Sequence, residues 1–357
     1  MTHKVRFGLT LSNRGVLLGL TTPDELLEVA EMADAEHVFE HVWVGDQIMA
    51  KPRMESITLM AAMAARTTRV KIGVACMASF PSRHPILLAY QWASLDLLSH
   101  GRMILGACMG VPGSSNLARI EYVNMGITNK ERAPRLEENI LILRKLWTED
   151  RVTYNGRFYK LDAAFVEPKP VQNPPPIWVI GNPGLRTGEP HVIERNLRRV
   201  ARLGDGWMTT AWPATDFAEL RRRICAYAKD YGRSFEELPC ALYYNININD
   251  DREAAIQESQ RFLEDYYTPI KFPRDRVEGW VACGTPAQCI QQLQTFIEAG
   301  ATDILLRFPS WDQKTQFKRC VEEVLPHFAE AELTLDPAAA PRYTAPSASS
   351  ALISSGL

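Results

Sequence analysis

Val70-Lys71-Ile72-Gly73-Val74-Ala75-Cys76-Met77 is a short, β-branched apolar run of strand length. A second segment opens at Pro85 and carries Leu87, Leu88, Gln91, Trp92, Leu95 and Leu98 at helical spacing, until Ser99-His100-Gly101 stops it. Met103-Ile104-Leu105-Gly106-Ala107-Cys108 then returns to an apolar run. Proline suits a first helical turn and glycine a helix end. The three segments therefore spell strand, helix, strand. Two strands joined through a helix lie parallel, because the crossover returns the chain to the same end of the sheet.

The same rhythm extends in both directions. Toward the N-terminus, Arg6–Leu11 and His41–Gly45 read as strands. Thr22-Pro23-Asp24-Glu25 is a capping box that opens the first helix, and Ser56–Arg66 is the second. Toward the C-terminus, residues 111–133 are rich in Gly, Pro, Asn and Ser and read as a long loop of the kind that covers a site. A helix over Leu136–Trp147 follows. Tyr154-Asn155-Gly156-Arg157-Phe158 predicts a hairpin with a tight Asn-Gly turn. The proline-rich run Glu167–Pro176 reads as a stiff crossing into a fifth strand, Ile177–Ile180. Three further strands are expected at Gly206–Thr210, Cys240–Ile248 and Thr302–Phe308. Helices are expected at His191–Leu203, Asp216–Tyr231, Arg252–Tyr267, Pro286–Ala299 and Gln316–Phe328, with an irregular insert over 268–283. Eight strands alternating with helices predict an α/β fold, a (β/α)8 TIM barrel with insertions in the βα loops. It forms one domain over residues 1–335, followed by a flexible Ala/Pro/Ser-rich tail over 336–357.

Composition narrows the partners. The 357 residues carry a formal net charge of −2, which argues against a nucleic-acid binder. Met1-Thr2-His3-Lys4 runs directly into a strand, with no signal peptide and no apolar stretch of membrane-spanning length. The seven cysteines are dispersed, without metal-ligand spacing. The expectation is a cytoplasmic protein with reduced thiols, no metal, and neither nucleic acid nor membrane as partner.

One stretch goes beyond fold class. Ser82-Arg83-His84-Pro85, Leu87-Leu88-Ala89-Tyr90-Gln91, Ala93-Ser94-Leu95-Asp96, Ser99-His100-Gly101-Arg102 and Leu105-Gly106-Ala107-Cys108-Met109-Gly110 follow one another without a break in order. Together they resemble the bacterial luciferase-like family of flavin-dependent monooxygenases and their deazaflavin-dependent relatives. Trp43-Val44-Gly45-Asp46 is similar to that family's second strand end, and Leu136-Glu137-Glu138 to its fourth helix. Pro175-Pro176-Ile177-Trp178 resembles its crossing into strand five, and Gly284-Thr285-Pro286 its last βα unit.

The resemblance implies an oxidoreductase whose site lies at the C-terminal mouth of the barrel. It implies that Asp46 and Gln47 line a flavin, where many members carry histidine at the position of Gln47. It also implies a non-proline cis peptide within 75–77, so that Ala75, Cys76, Met77 and Ala78 back the flavin ring. Met109 and Gly110 would contact the cofactor. The sugar-phosphate dehydrogenases of the family carry an acid after the matching glycine, where this chain has Val111. Gly181-Asn182-Pro183-Gly184 reads as a phosphate-binding turn at a helix start, with Arg186 as its charge partner.

Other residues read as scaffold or as pocket wall. His84, Asp96 and Arg102 read as scaffold. Trp207, Met208, Trp212 and Tyr243 are candidates for the pocket wall. Arg307 must find an acid or a ligand phosphate if it points into the barrel. No catalytic acid or base stands out.

Three functions remain open on these grounds. The first is a monooxygenase using reduced FMN and oxygen on a small organic substrate, supplied by a separate flavin reductase, with Met77, Met109 and Val111 keeping the pocket dry. The second is a reductase or dehydrogenase using the deazaflavin coenzyme F-420. The third is a non-catalytic flavin-binding barrel. Relatives also suggest a homodimer.

Overall fold

The computed structural model describes residues 2–110, 116–329 and 332–334. Val111 and the tail from 336 lie outside the described residues. Eight parallel strands close into a barrel: β1 (Arg6–Thr10), β2 (Phe39–Asp46), β3 (Lys71–Met77), β4 (Met103–Ala107), β5 (Ile177–Ile180), β6 (Gly206–Thr209), β7 (Cys240–Ile248) and the last barrel strand, Asp303–Arg307. Closure comes from β6 pairing with the first half of β7, at Cys240–Leu242. The second half of β7, Asn245–Ile248, instead takes a ninth strand, β8 (Val281–Gly284), on that edge. The last barrel strand is thus β9 (Asp303–Arg307), which joins β7 to β1.

Helices follow the strands as the sequence predicts, with shifted ends. The Thr22–Glu25 capping box opens α1 (Pro23–Ala35), and His84 caps α3 (Pro85–Leu98) by accepting from Ile86 N. Asp96 accepts from the Gln172 backbone and side chain, while the Arg102 guanidinium donates to the carbonyls of Ser99, Val70, Ala64 and Thr67. All three are scaffold, as the sequence reading placed them.

Three readings are corrected. Residues 116–131 of the long loop contain a helix, α4 (Asn116–Asn124), and a short 3-10 turn. The insert 268–283 holds a helix over Arg274–Trp280 and most of β8. Both have too few apolar residues in register to stand out by periodicity. The hairpin exists, pairing Val152–Asn155 with Lys160–Ala164, but its turn is not centred on Asn155-Gly156. Gly156 N donates to Tyr159 O, so Arg157 and Phe158 make the turn. The Glu138 carboxylate accepts from the backbone of both Phe158 and Tyr159. A Cβ at Gly156 would stand 2.1 Å from that carboxylate. Glycine is required here by close approach rather than by turn type.

Inside the barrel, alternate residues point inward and stack in layers. The lowest layer holds His41 and Asp303. The carboxylate of Asp303 accepts two hydrogen bonds from Arg6, at 2.8 and 2.7 Å. Above it Trp43 and Trp178 meet with ring centroids 5.1 Å apart. Gly73 makes room for them, since a Cβ there would lie 2.2 Å from the Trp43 ring. The top layer holds Tyr243, Asn245 and Arg307.

Burial pushes the His41 imidazole down to about 4, so at neutral pH it is neutral beside Asp303, 3.6 Å away, and the two do not form an ion pair. In the unfolded chain the same histidine takes a proton at its ordinary value of 6.5. The unfolded state therefore binds more protons between these values, and stability must fall as pH drops through that window. We expect denaturant unfolding to show a loss of up to about 3 kcal/mol between pH 6.5 and pH 4 from this residue, with His41→Gln removing that part of the slope.

Candidate active site

The C-terminal ends of the strands open onto one cavity of about 920 Å³, near the top of the roughly 300–1,000 Å³ range of small-molecule sites. Of the residues singled out from sequence, Asp46, Gln47, Ala75, Cys76, Ala78, Met109, Gly110, Asn182 and Pro183 line it. Two lie behind its wall. Met77 is fully buried among the apolar side chains between barrel and helices, because strand alternation turns it away from its neighbour Cys76. Gly181 is buried too, with its carbonyl accepting from Trp207 Nε1. Trp207 itself is core, stacked on Phe217, whereas Met208, Trp212 and Tyr243 do line the cavity.

The expected cis peptide is Ala75–Cys76, and the pairing register of β3 slips on both sides there. Ala75, Cys76 and Ala78 thus present a small-residue face to the cavity. Beside it the Cys76 and Cys108 thiols interact, which raises the one and lowers the other.

Gly181-Asn182-Pro183 is not a helix start. α6 begins only at Pro190, after a turn over Gly184–Gly188. Asn182 is tied to β6 by bonds with Thr209 and Thr210. Arg186 pairs with Asp216 at 3.2 Å. The N-terminus of α6 (Pro190–Leu203) is thus separated from Gly181-Asn182-Pro183, although Asn182, Pro183, Gly184 and Arg186 all line the cavity.

Both predicted polar residues of strand two are held firmly. Asp46 accepts from Ser56, from the Ser79 backbone and hydroxyl, and from Arg83. It pins the ends of β2 and β3 together, the loop-capping role. The Gln47 amide donates at 2.8 Å to Glu121, a fully buried carboxylate on α4 that also accepts from Met49 N and Ala50 N. Because a carboxylate can only accept, the Gln47 nitrogen is fixed toward Glu121 and its carbonyl oxygen is turned elsewhere.

The residues missed from sequence are the most chemically distinctive. Lys51 and Arg53 line the cavity from the connection between β2 and α2 (Ser56–Arg66), Tyr267 lines it from the C-cap of the helix Arg252–Tyr266, and Phe272, Arg276 and Trp280 line it from the 268–283 insert. Beneath them Arg307 is fully buried, and among the described residues no carboxylate pairs with it. Its Nε donates to Asn245 Oδ1 at 3.0 Å and its Nη1 to the Tyr267 hydroxyl at 2.9 Å. Its guanidinium carbon lies 4.7–5.7 Å from the ring centroids of Tyr243, Phe262, Tyr266, Tyr267 and Trp280. Among the described residues an aromatic cage stands in place of the expected acid, and its ring quadrupoles and hydroxyl dipoles take up the charge. Burial opposes that charge, but the tyrosine hydroxyls outweigh it and Arg307 is more firmly protonated than usual. A sequence signal existed only for Arg307 and Tyr243, whose inward direction follows from strand alternation; Lys51 sits in a segment with no periodicity to read, and Tyr267 ends a helix whose pattern does not show that its last residue turns to the cavity.

A family model described as luciferase-like monooxygenase matches residues 5–303. An F420-dependent glucose-6-phosphate dehydrogenase of Nakamurella multipartita is 25% identical over 334 residues, 85% of this chain and 92% of its own. Among solved structures, an F420-dependent secondary alcohol dehydrogenase in complex with an F420-acetone adduct superposes with a TM-score of 0.76 at 19% identity, covering 90% of this chain and 98% of its own. A monooxygenase from Streptomyces bottropensis gives 0.71 at 21% identity, covering 91% and 100%. At these identities the two structures speak for the fold alone.

Glu121 is a test of the loop reading. Glu121→Ala leaves two backbone N–H groups and the Gln47 amide without their acceptor. A loss of about 2–3 kcal/mol is expected in denaturant unfolding, the scale of an unpaired buried donor. An unchanged midpoint would mean that α4 does not hold the strand-two residues.

Proposed function

The chain belongs to the luciferase-like monooxygenase family and is an oxidoreductase, and from that premise we propose that it is a deazaflavin-dependent dehydrogenase or reductase. It would exchange hydride with a small alcohol or carbonyl substrate rather than activate oxygen on reduced FMN. The observation that carries this reading is the chemistry of the cavity wall. A flavin hydroperoxide needs a dry, apolar surround. Of the residues expected to supply that shield, Met109 lies on the wall, Met77 lies behind it and Val111 is outside the described residues, while Lys51, Arg53, Arg276, Tyr243 and Tyr267 add charge and hydroxyls to the wall. Relatives named as F420-dependent, aligned over 76–85% of this chain, support the same choice.

The residues present fit such a group. Ala75, Cys76 and Ala78 give a face that a flat ring can approach. Asn196 has a buried side-chain oxygen on the cavity wall with no hydrogen-bond partner. The basic side chains suit the acidic tail that distinguishes coenzyme F-420. When bound, the deazaflavin supplies two-electron hydride chemistry. Asp46 and Glu121 fix the strand-two end against which it lies. Lys51 and Arg53 favour a substrate or cofactor carrying negative charge. Glucose 6-phosphate itself is not carried over from the relatives, because Gln47 stands where many family members have histidine and cannot exchange a proton as histidine does.

Titration of the purified protein with coenzyme F-420, FMN and reduced FMN, read by fluorescence, tests this. Deazaflavin binding, with hydride exchange to an alcohol or ketone panel that is indifferent to oxygen, is the expected result. Binding of reduced FMN alone, with substrate-dependent oxygen uptake, would return the protein to the monooxygenase reading.

A further inference from the structure

We propose that Tyr267 is the catalytic acid–base residue, exchanging a proton with the hydroxyl or carbonyl oxygen of the substrate. This deepens the dehydrogenase reading above and rests on it.

The geometry around Tyr267 is unusual for a tyrosine. Its hydroxyl accepts from Arg307 Nη1 at 2.9 Å. The Lys51 ammonium stands 4.9 Å from its ring centroid. Arg53 approaches from the β2–α2 connection, and Tyr243 on β7 interacts with its hydroxyl. Tyr266, its neighbour at the end of α8 (Arg252–Tyr266), is turned toward Asn13, and Arg14 lies beyond it. Arg14 is buried with Nε and Nη1 lacking partners. Among the described residues, Arg14, Lys51, Arg53 and Arg307 form no ion pair.

The carboxylates of the cavity wall do not offset this charge. Asp46 is engaged by Ser56, Ser79 and Arg83, and Asp216 by Arg186. Of the phenols among these cations, Tyr267 is the one that lines the cavity and takes a hydrogen bond from Arg307 on its hydroxyl oxygen. Burial alone would raise it, but Arg307, Arg53 and Lys51 together hold it below the ordinary tyrosine value. Tyr243 goes the other way: burial keeps it protonated, so it remains a donor to its neighbour.

Tyr267 also stands in the right place. It lines the cavity together with Cys76, and Lys51 is near enough to both to feel their charge. A substrate lying between the Ala75–Cys76 face and Tyr267 would have the hydride acceptor on one side and the phenolate on the other. In the oxidative direction the substrate O–H proton passes to the Tyr267 oxygen. A bound oxidised deazaflavin would supply the acceptor for the hydride that leaves the carbinol carbon with its electron pair as the C=O bond forms. In the reductive direction the phenol returns the proton.

The test has a cofactor-free arm and a kinetic arm. In the first, the protein without cofactor is titrated with base and the near-ultraviolet phenolate band is followed. One tyrosine should ionise before the others. That early band should be absent in Tyr267→Phe and shifted to higher pH in Lys51→Met, which removes a stabilising charge from the cavity side without cutting into the core. In the second, Tyr267→Phe should bind coenzyme F-420 as before but lose roughly a hundredfold or more in kcat, the scale of general acid–base catalysis. The limb of the oxidation rate that rises with pH should vanish with it.

An early band that survives in Tyr267→Phe, or no early band at all, overturns the proposal even where the deazaflavin binds. So does unchanged turnover in Tyr267→Phe. An early band in a protein that binds no deazaflavin overturns the dehydrogenase reading and the catalytic step with it.

Discussion

Trp43 and Trp178 fill the middle of the barrel, with His41 against both rings from below. Two indoles fit side by side because the β3 position facing Trp43 is glycine. Once they are in place, no side chain or ligand can pass down the lumen, and free volume can exist only at the mouth. The layer above must then end in groups that tolerate a packed apolar floor and an open polar ceiling. Arg307 does this: its stem rises from the floor and its charged head spreads among rings. A barrel with a smaller plug would let that guanidinium sink, and the hydroxyl it holds would leave the cavity.

Charge at the mouth is arranged by what is used up and what is left over. Asp46, Asp216 and Glu121 are all near the cavity, and each is consumed by donors that fix a loop or a strand end. Lys51, Arg53 and Arg307 are treated oppositely: among the described residues they meet rings, amide oxygens and carbonyls that stabilise charge without cancelling it, rather than carboxylates. Neutralising them with carboxylates would have made the mouth electrostatically quiet. Leaving them unpaired gives it a positive potential, which favours an anion or an ionised phenol.

The two inserts that interrupt the βα rhythm supply much of what is specific. α4 brings the carboxylate that fixes Gln47, and the segment after α8 brings Tyr267, Phe272, Arg276 and Trp280 over the opening. β8 pins the end of this second insert by pairing with the upper half of β7, the stretch that β6 leaves uncovered. The barrel is thus the general part and the inserts are the particular part, which is how one fold hosts many chemistries.

The sequence by itself determined the barrel, its eight strands and the capped helix starts, because apolar periodicity and capping boxes are local consequences of the residues. It also located the Asp46–Gln47, Ala75–Ala78 and Met109–Gly110 faces, since strand ends in a parallel barrel share one mouth. Tertiary structure alone decided the rest. Met77 and Gly181 point away from the cavity because a register slip and a β-strand's twofold alternation set direction, and a one-residue difference reverses it. The partner of Gln47 lies 74 positions along the chain, and Arg307 and Tyr267 are 40 apart with helices and a strand between them. Contacts of that kind arise from closing the barrel and folding the inserts over it, and they leave no trace in local spacing.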